Sequence, residues 1–421
     1  MRTVLKSLAL CIAIKVFTCQ GQNLLIPMDL SQTDHLKAYG VAYWVLDRGT
    51  NVEWLLNYRG GSFIMGYDES AVRQCRIRGV RFEVLGGTQV ADVYNTIEQN
   101  NMEVILLEKA PAIAVYTPPN TQPWDDAVTL ALTYAEIPYD TFWDEKVLRG
   151  ELNKYDWLHL HHEDFTGQYG KFWATYRNAS WYIQQQNLFE AEAKRLGYDK
   201  VSRLKLDVAK TVKEYVLSGG FLFAMCSATD SYDIALAAEG TDICHDVFDG
   251  DLLDPDCQNK LDYGKCLAFE NFRLITNPSI YEFSDIDTTP RDRTAVRSAQ
   301  DDYFTLFEFS AKYDPVPTML TQNHASVIHN FMGQTTGFHK HLIKRSVVIM
   351  AEKTEADEVK YIHGNVGKGT FTFLGGHDPE DYQHLVGDPP TDLSLHKNSP
   401  GYRLILNNIL FPAAKKKEQK T

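Results

Sequence analysis

The sequence predicts an α/β fold built on a doubly wound, mostly parallel sheet, with a small α+β module before it. From residue 110 onward, short apolar runs alternate with amphipathic stretches of helical length. This alternation is the order of βαβ crossover units. One run, residues 221–225, is apolar throughout, as expected of a strand that is covered on both faces. At 421 residues the chain has room for a large domain and an appended smaller one.

Residues 1–22 predict an export signal. Arg2 and Lys6 precede an apolar stretch, as in a secretory signal peptide. Lys15 interrupts that stretch, which falls short of the ~20 apolar residues that a membrane-spanning helix needs. We therefore expect an exported, periplasmic or extracellular protein without a transmembrane segment. A lipoprotein anchored through Cys19 is the alternative.

The elements of the α+β module, residues 23–109, follow from periodicity and from glycine or polar breaks. Its strands are predicted at residues 23–29, 54–58, 62–66 and 81–85, and its helices at 35–46, 69–79 and 92–100.

The larger domain is predicted over residues 110–413, and a basic tail over residues 414–421. Residues 165–200 form a long, aromatic-rich and helical insertion, and residues 241–297 look irregular. The predicted strands cover residues 112–116, 140–143, 157–161, 221–225, 346–350 and 370–374, and the helices 125–136, 204–218, 232–239 and 402–410.

Charge narrows the class of partner. The chain has 42 basic and 55 acidic side chains, a net charge of −13 at pH 7. Nucleic acid is therefore not expected as a partner, because phosphate binding needs a basic surface. A small molecule, a carbohydrate or a peptide is the expected substrate, and the many aromatic side chains suit a cleft that binds rings.

Cysteine usage agrees with export. Without Cys11 and Cys19 five cysteines are left, and an odd number leaves at least one thiol unpaired in an oxidising compartment. Cys257 and Cys266 flank a short polar loop and are predicted to form a disulfide. Cys226 is the thiol that we expect to be free.

Cys226 follows the apolar strand at residues 221–225 and precedes a helical stretch. Side chains at the carboxyl ends of strands lie in the crevice where open α/β sheets bind ligands. The helix N-terminus favours thiolate, so we expect the pKa of Cys226 below the free value of about 8.5. Ser227 and Asp230 lie next to it and are predicted substrate contacts. The alternative is a small apolar core residue beside a turn.

His377 follows the strand at residues 370–374 and a Gly-Gly turn. An imidazole beside a thiol can take its proton, and a neighbouring carboxylate can fix the imidazole tautomer. Asp378 and Glu380 are the candidate carboxylates. A solvated polar turn is the alternative.

A third group of side chains begins in the strand at residues 157–161. Alternation places His159 and His161 on one face, while His162 and Glu163 fall in the loop that follows. We predict that His161, His162 and Glu163 contact substrate in the same cleft as Cys226. No cofactor is expected, although zinc at His159, His161 and His162 is the alternative. Buried hydrogen bonds alone are a further alternative.

Residues 218–231 resemble the nucleophile-elbow region of the class I glutamine amidotransferase-like superfamily, and in particular its trehalose-utilisation (ThuA-like) branch. Residues 367–378 are similar to the last strand and Gly-His turn of that branch. The resemblance covers about residues 110–411. It implies that Cys226 is a nucleophile, that His377 is its base and that an acid supports His377. ThuA-like domains usually carry histidine at the elbow, whereas Cys226 matches the amidotransferases.

The third member of this triad departs from the family pattern. Amidotransferases use His-x-Glu, whereas here Glu380 lies one residue too far from His377 and Asp378 one too near.

The whole chain also resembles exported bacterial proteins labelled "asparagine synthetase B". ATP-dependent asparagine synthesis is not expected, because position 2 is Arg2 rather than cysteine and Ser218-Gly219-Gly220 runs into a strand. The predicted function is cysteine-dependent hydrolysis of an amide or related bond. The alternatives are a ThuA-like protein that binds or modifies sugars, with or without a metal, and a non-catalytic binding scaffold.

Overall fold

The computed structural model describes residues 21–288, 302–314, 324–331, 333–381 and 385–414. Nearly all of the predicted export signal and of the basic tail lie outside these ranges. Within them, no helix combines the length and the apolar character that crossing a membrane requires.

The first sheet is five-stranded and entirely antiparallel, in the order β4-β1-β3-β2-β5 once the strands are numbered along the chain. Its strands are β1 (Asn23–Ile26), β2 (Val52–Leu56), β3 (Ser62–Gly66), β4 (Glu83–Leu85) and β5 (Glu103–Leu107). Its helices are α1 (His35–Asp47), α2 (Glu69–Arg78) and α3 (Gly87–Gln99).

The second sheet has ten strands in the described residues, in the path β11-β10-β13-β14-β15-β9-β8-β6-β7, with β12 paired to β14. The strands are β6 (Ile113–Tyr116), β7 (Asp140–Phe142), β8 (Trp157–Leu160), β9 (Phe221–Met225), β10 (Tyr303–Leu306), β11 (Val327–His329), β12 (Phe338–His339), β13 (Val348–Lys353), β14 (Glu358–Val366) and β15 (Gly369–Leu374).

The predicted doubly wound, mostly parallel sheet is wrong. Only the half from β15 to β7 is parallel, and every other pairing in the second sheet is antiparallel. The short connections explain the difference, because a parallel pair needs a crossover of a dozen or more residues. Only Gly367 and Lys368 separate β14 from β15, which forces an antiparallel hairpin.

Helices cover both faces of the second sheet. Helices α1, α4 (Ala127–Ala135) and α11 (Pro400–Leu410) contact one another and share one core with the first sheet. Helices α8 (Val201–Ser218) and α9 (Ala228–Ala237) belong to a second core. The sequence of α8 explains which of its faces is buried. Leu204, Val208 and Val212 recur on one face, and all three are fully buried. The other helices of this part are α5 (Asp144–Leu148), α6 (Trp173–Tyr176), α7 (Ser180–Arg195) and α10 (Asp246–Asp249).

The predicted disulfide between Cys257 and Cys266 is also wrong. Both are free, buried thiols, and the Cys266 Sγ lies 3.3 Å from the carbonyl oxygen of Asp233. Packing of residues 257–269 against α9 therefore fixes this loop. Asp233 contributes by accepting hydrogen bonds from three backbone N–H groups of the loop.

Candidate metal and catalytic site

Three neighbouring parallel strands bring the predicted residues to one edge of the second sheet. Leu374 of β15 pairs with Met225 of β9, and Leu160 of β8 pairs with Ala224 of β9. Because parallel strands end at the same edge, the segments that follow them meet there. They carry His377, Cys226 and His161–Glu163 respectively.

Cys226 stands in a tight turn between β9 and α9. Its φ of 49° is in the left-handed region, which is uncommon for a residue with a side chain. Backbone hydrogen bonds fix the turn on both sides. The Cys226 N–H donates to Gly376 O at 3.1 Å, and the Ala228 N–H donates to His161 O at 3.0 Å. The turn is thereby tied to the segments that carry His377 and His161.

The segment Gly333–Thr336 covers the thiol. The Cys226 Sγ–H donates to Gln334 O at 3.0 Å, and the side chain is 3% exposed. Gly333 is required by close approach, because a Cβ there would lie 2.8 Å from His377 Cβ and 3.5 Å from Cys226 Sγ. Burial raises the pKa of the Cys226 thiol to about 12. The expected fall in its pKa is therefore wrong, since burial outweighs the helix N-terminus.

Three imidazoles meet beside Cys226. The Nε2 atoms of His162 and His377 lie 3.1 Å apart, and the His161 ring stacks on the His162 ring at 3.9 Å between centroids. One nitrogen from each of the three rings lies within 4.8 Å of the others, so the group can hold a metal ion. The predicted zinc alternative at His159, His161 and His162 is therefore corrected, because His377 rather than His159 joins His161 and His162.

Asp126 orients His161. Asp126 caps α4, where its Oδ1 accepts the Thr129 N–H at 2.8 Å. This leaves Oδ2 3.1 Å from both His161 Nδ1 and His159 Nε2. His161 Nδ1 faces the carboxylate at that distance, and neither His161 nitrogen has a hydrogen-bond partner in the described part of the chain. A carboxylate behind a histidine is the usual support of a metal ligand.

The ionisation of Asp126 depends on the two histidines that its carboxylate faces, His159 and His161. Burial opposes ionisation of Asp126, but His159 and His161 together hold its pKa well below the ordinary value. Burial lowers the pKa of His159, although Asp126 opposes that shift. The Nδ1 atom of His159, on β8, lies 3.2 Å from the carbonyl oxygen of Phe223 on β9. This contact ties His159 to the neighbouring strand.

Two adjoining cavities open at the histidine group. The smaller, about 80 Å³, is lined by His162, His377, Cys226 and Ser227 among others. The larger, about 260 Å³, is lined by Glu163 and by Asp125 and Asp126. The two cavities share lining residues, namely Trp124, His162 and Phe172.

Glu163 directly follows His162 in the sequence. Its Oε2 accepts the His161 N–H at 2.7 Å. Burial raises the pKa of the Glu163 carboxyl to about 8. The side chain is therefore fixed in position by the same segment that carries two of the imidazoles.

The two carboxylates predicted to orient His377 are engaged elsewhere. Asp378 is fully buried and accepts hydrogen bonds from the hydroxyls of Tyr402 and Thr391, at 2.6 and 2.9 Å. Glu380 pairs with His396 Nδ1 at 2.9 Å. Tertiary contacts with α11 and with the segment before it set these orientations, which spacing along the chain does not reveal.

Asp230 lies beneath the segment that covers Cys226. It is fully buried, and its Oδ1 accepts the Thr335 hydroxyl at 3.0 Å. Burial, reinforced by Asp287, raises the pKa of Asp230 well above the ordinary value. These contacts give Asp230 a supporting place below the cavities, whereas Ser227 lies in the smaller cavity wall.

Sequence reasoning missed Asp126, Trp124 and Phe172. Asp126 and Trp124 lie in the segment after β6, a parallel strand of the same sheet. A signal existed, because the segment after any parallel strand of this half must reach the same edge.

Comparisons with known proteins add little. No protein-family model matches the chain, and no curated protein matches it. Among solved structures, a cytoplasmic protein from Salmonella typhimurium superposes with a TM-score of 0.36 at 10% identity, over 73% of this chain and all of its own. A second, from Salmonella typhimurium LT2, gives 0.34 at 11% identity, over 72% of this chain and all of its own.

Gan42B, a GH42 β-galactosidase, superposes with a TM-score of 0.27 at 11% identity. The match covers 64% of this chain and 28% of the galactosidase. Similarity at these levels carries no argument about function, and the resemblance to amidotransferases stays a prediction.

Proposed function

We propose that the protein is a metal-dependent hydrolase that holds a zinc-class divalent ion on His161, His162 and His377. One observation carries the proposal: both nitrogens of the buried His161 ring lack a hydrogen-bond partner among the described residues, and one nitrogen of His161 lies within 4.8 Å of a nitrogen of each of two further imidazoles. Three histidines with an open fourth position form a known type of catalytic zinc site. Neutral imidazole nitrogens suit zinc, and Asp126 supplies the carboxylate behind the ligand.

An ion at this position would supply Lewis-acid polarisation of a substrate carbonyl and of water. Glu163 would move the proton, because its carboxyl is fixed beside the group by the His161 N–H. Trp124 and Phe172 wall both cavities and would keep bulk water out of the site.

A thiol nucleophile is the second candidate, and the backbone of Cys226 favours it. A left-handed residue between a strand and a helix is the geometry of a nucleophile elbow. His377 lines the same cavity and could serve as the base. In this arrangement the enzyme is the cysteine-dependent hydrolase of an amide or related bond that the sequence predicts. Against it stands the cover of Gly333–Thr336 over the thiol.

Hydrolysis of p-nitrophenyl acetate by the full chain tests the proposal. Activity should require added Zn²⁺, disappear with a chelator, and fall to background in His161→Ala. The control is His341→Ala, which removes an exposed imidazole elsewhere. Cys226→Ser should keep most of the activity if the metal is the catalyst. Activity that survives chelation and is abolished by Cys226→Ser would instead establish the thiol mechanism.

A further inference from the structure

The larger cavity is lined by many side chains that the proposed metal site does not use. Five of its lining side chains are aromatic and four are carboxyls. The aromatic ones are Trp124, Trp143, Tyr169, Phe172 and Phe189, and the carboxyls are Asp125, Asp126, Glu163 and Asp164. The one lysine in the lining, Lys205, lies 2.9 Å from Asp144, so its charge is already balanced.

The cavity also presents acceptors that the protein leaves without a cation. Among the described residues, no lysine or arginine forms an ion pair with Glu163 or Asp164, although Asp164 already accepts hydrogen bonds from Thr166 and from the Gly170 N–H. Gln185 is 8% exposed, lines the cavity, and its Oε1 has no hydrogen-bond partner in the described part of the chain. A buried amide oxygen left this way costs free energy unless a ligand supplies a donor.

We propose that this cavity binds an organic ammonium group, and that the substrate class is an amine-bearing ester or amide. Aromatic faces attract ammonium through the ring quadrupole, and carboxyls and an amide oxygen accept its N–H or polarised C–H groups. The same wall already holds one ammonium, since Lys205 Nζ lies 3.7 Å from the Trp143 ring centroid.

Continuity of the cavities links this site to the histidine group. The larger cavity shares Trp124, His162 and Phe172 with the smaller one, which His377 also lines. A ligand with its ammonium in the larger cavity would therefore place a neighbouring carbonyl at the histidines. This step rests on the proposed hydrolase function, whereas ammonium binding itself does not.

Choline and its neutral isostere 3,3-dimethylbutan-1-ol form a matched pair of probes. Isothermal titration of the full chain, with and without Zn²⁺, should show choline binding at least about ten-fold more tightly than the alcohol. Gln185→Leu and Trp124→Leu should each weaken choline by about five-fold or more. The matched control is Glu214→Gln, which removes an exposed acid on α8.

Equal affinity for the two probes, binding of neither, or unchanged choline affinity in both variants would overturn the ammonium site. Gln185→Leu keeps the test valid if Trp124→Leu fails to fold. Zinc binding without choline selectivity would refute the ammonium site and leave the hydrolase proposal standing. Choline selectivity without zinc binding would refute the metal-dependent hydrolase and leave the ammonium site standing.

Discussion

Two buried groups of histidines in this protein differ in one respect, which is how their nitrogens are used. His35 stacks on His324 at 4.2 Å, and both of its nitrogens have partners, Asn398 on one side and Met28 O and Asp29 O on the other. His161 stacks on His162 at 3.9 Å, but its Nε2 has no hydrogen-bond partner in the described residues. Burial and stacking are alike, so the inventory of partners separates a structural group from one ready for a ligand.

The largest effect should fall on zinc affinity in His161→Ala. Loss of a ligand is expected to weaken Zn²⁺ binding by more than about 100-fold, beyond the 10–100-fold typical of residues behind a ligand. The free energy of unfolding should fall less than in His35→Ala, because the ring that is removed makes no hydrogen bond among the described residues, although its loss leaves a cavity beside Asp126. Competition with a zinc-binding dye and urea denaturation measure the two quantities. A large fall in the free energy of unfolding without any loss of Zn²⁺ affinity would contradict the contrast between the two groups.

The opposite pattern is expected for His35→Ala. It removes a fully buried ring that bridges α1 to Asn398, so the free energy of unfolding should fall by about 2–3 kcal/mol. Zinc affinity should stay within about two-fold of the parent, because substitutions at distant sites affect one another by no more than a few tenths of a kcal/mol. Urea denaturation decides the first part. An unfolding free energy within about 0.5 kcal/mol of the parent would contradict it.

Asp126→Asn should have an intermediate effect. The amide keeps the shape of the α4 cap but loses the charge that faces His159 and His161, so Zn²⁺ affinity should fall about 10–100-fold. Asp125→Asn is the matched neighbour and keeps the Asp126 contacts. If both variants bind Zn²⁺ as the parent does, the orientation of His161 by Asp126 is refuted.

The smallest effect concerns acid stability. Burial, with help from Arg403, lowers the pKa of His35 to about 4. The neutral ring is therefore stabilised in the folded protein, fully above the unfolded pKa of about 6.5. This stability is lost as the pH falls from 6.5 towards 4, by at most about 1.4 kcal/mol per pH unit. Unfolding free energies at pH 7.5 and 5.5 should differ less in His35→Gln; equal slopes would count against the assignment.

The strands of the parallel half were predicted from sequence, whereas in the antiparallel part beyond β15 only β13 overlaps a predicted strand. The apolar runs at β6, β8, β9 and β15 mark strands, and their shared edge brings Cys226, His161 and His377 together. Strands β10, β11 and β12 have four, three and two residues, too few for periodicity to identify them. Their pairing depends on contacts between residues that are distant along the chain.

The details of the site were predictable only in part. Spacing placed Glu380 near His377, but His396 takes its carboxylate. Position at a helix N-terminus suggested an acidic thiol, but Gln334 and its neighbours bury Cys226. In both cases a contact with another segment of the chain decides the chemistry, and the pattern of neighbouring residues does not show it.

The central claim is that His161, His162 and His377 hold one metal ion. Anomalous diffraction at the zinc edge from crystals of the full chain grown with Zn²⁺ tests it most directly. We predict one strong peak about 2.0–2.1 Å from a nitrogen of each imidazole. An empty position there would contradict the account. So would a peak only at Asp242, Cys244 and Asp249, which form the cysteine-containing one of the three described groups with suitable spacing.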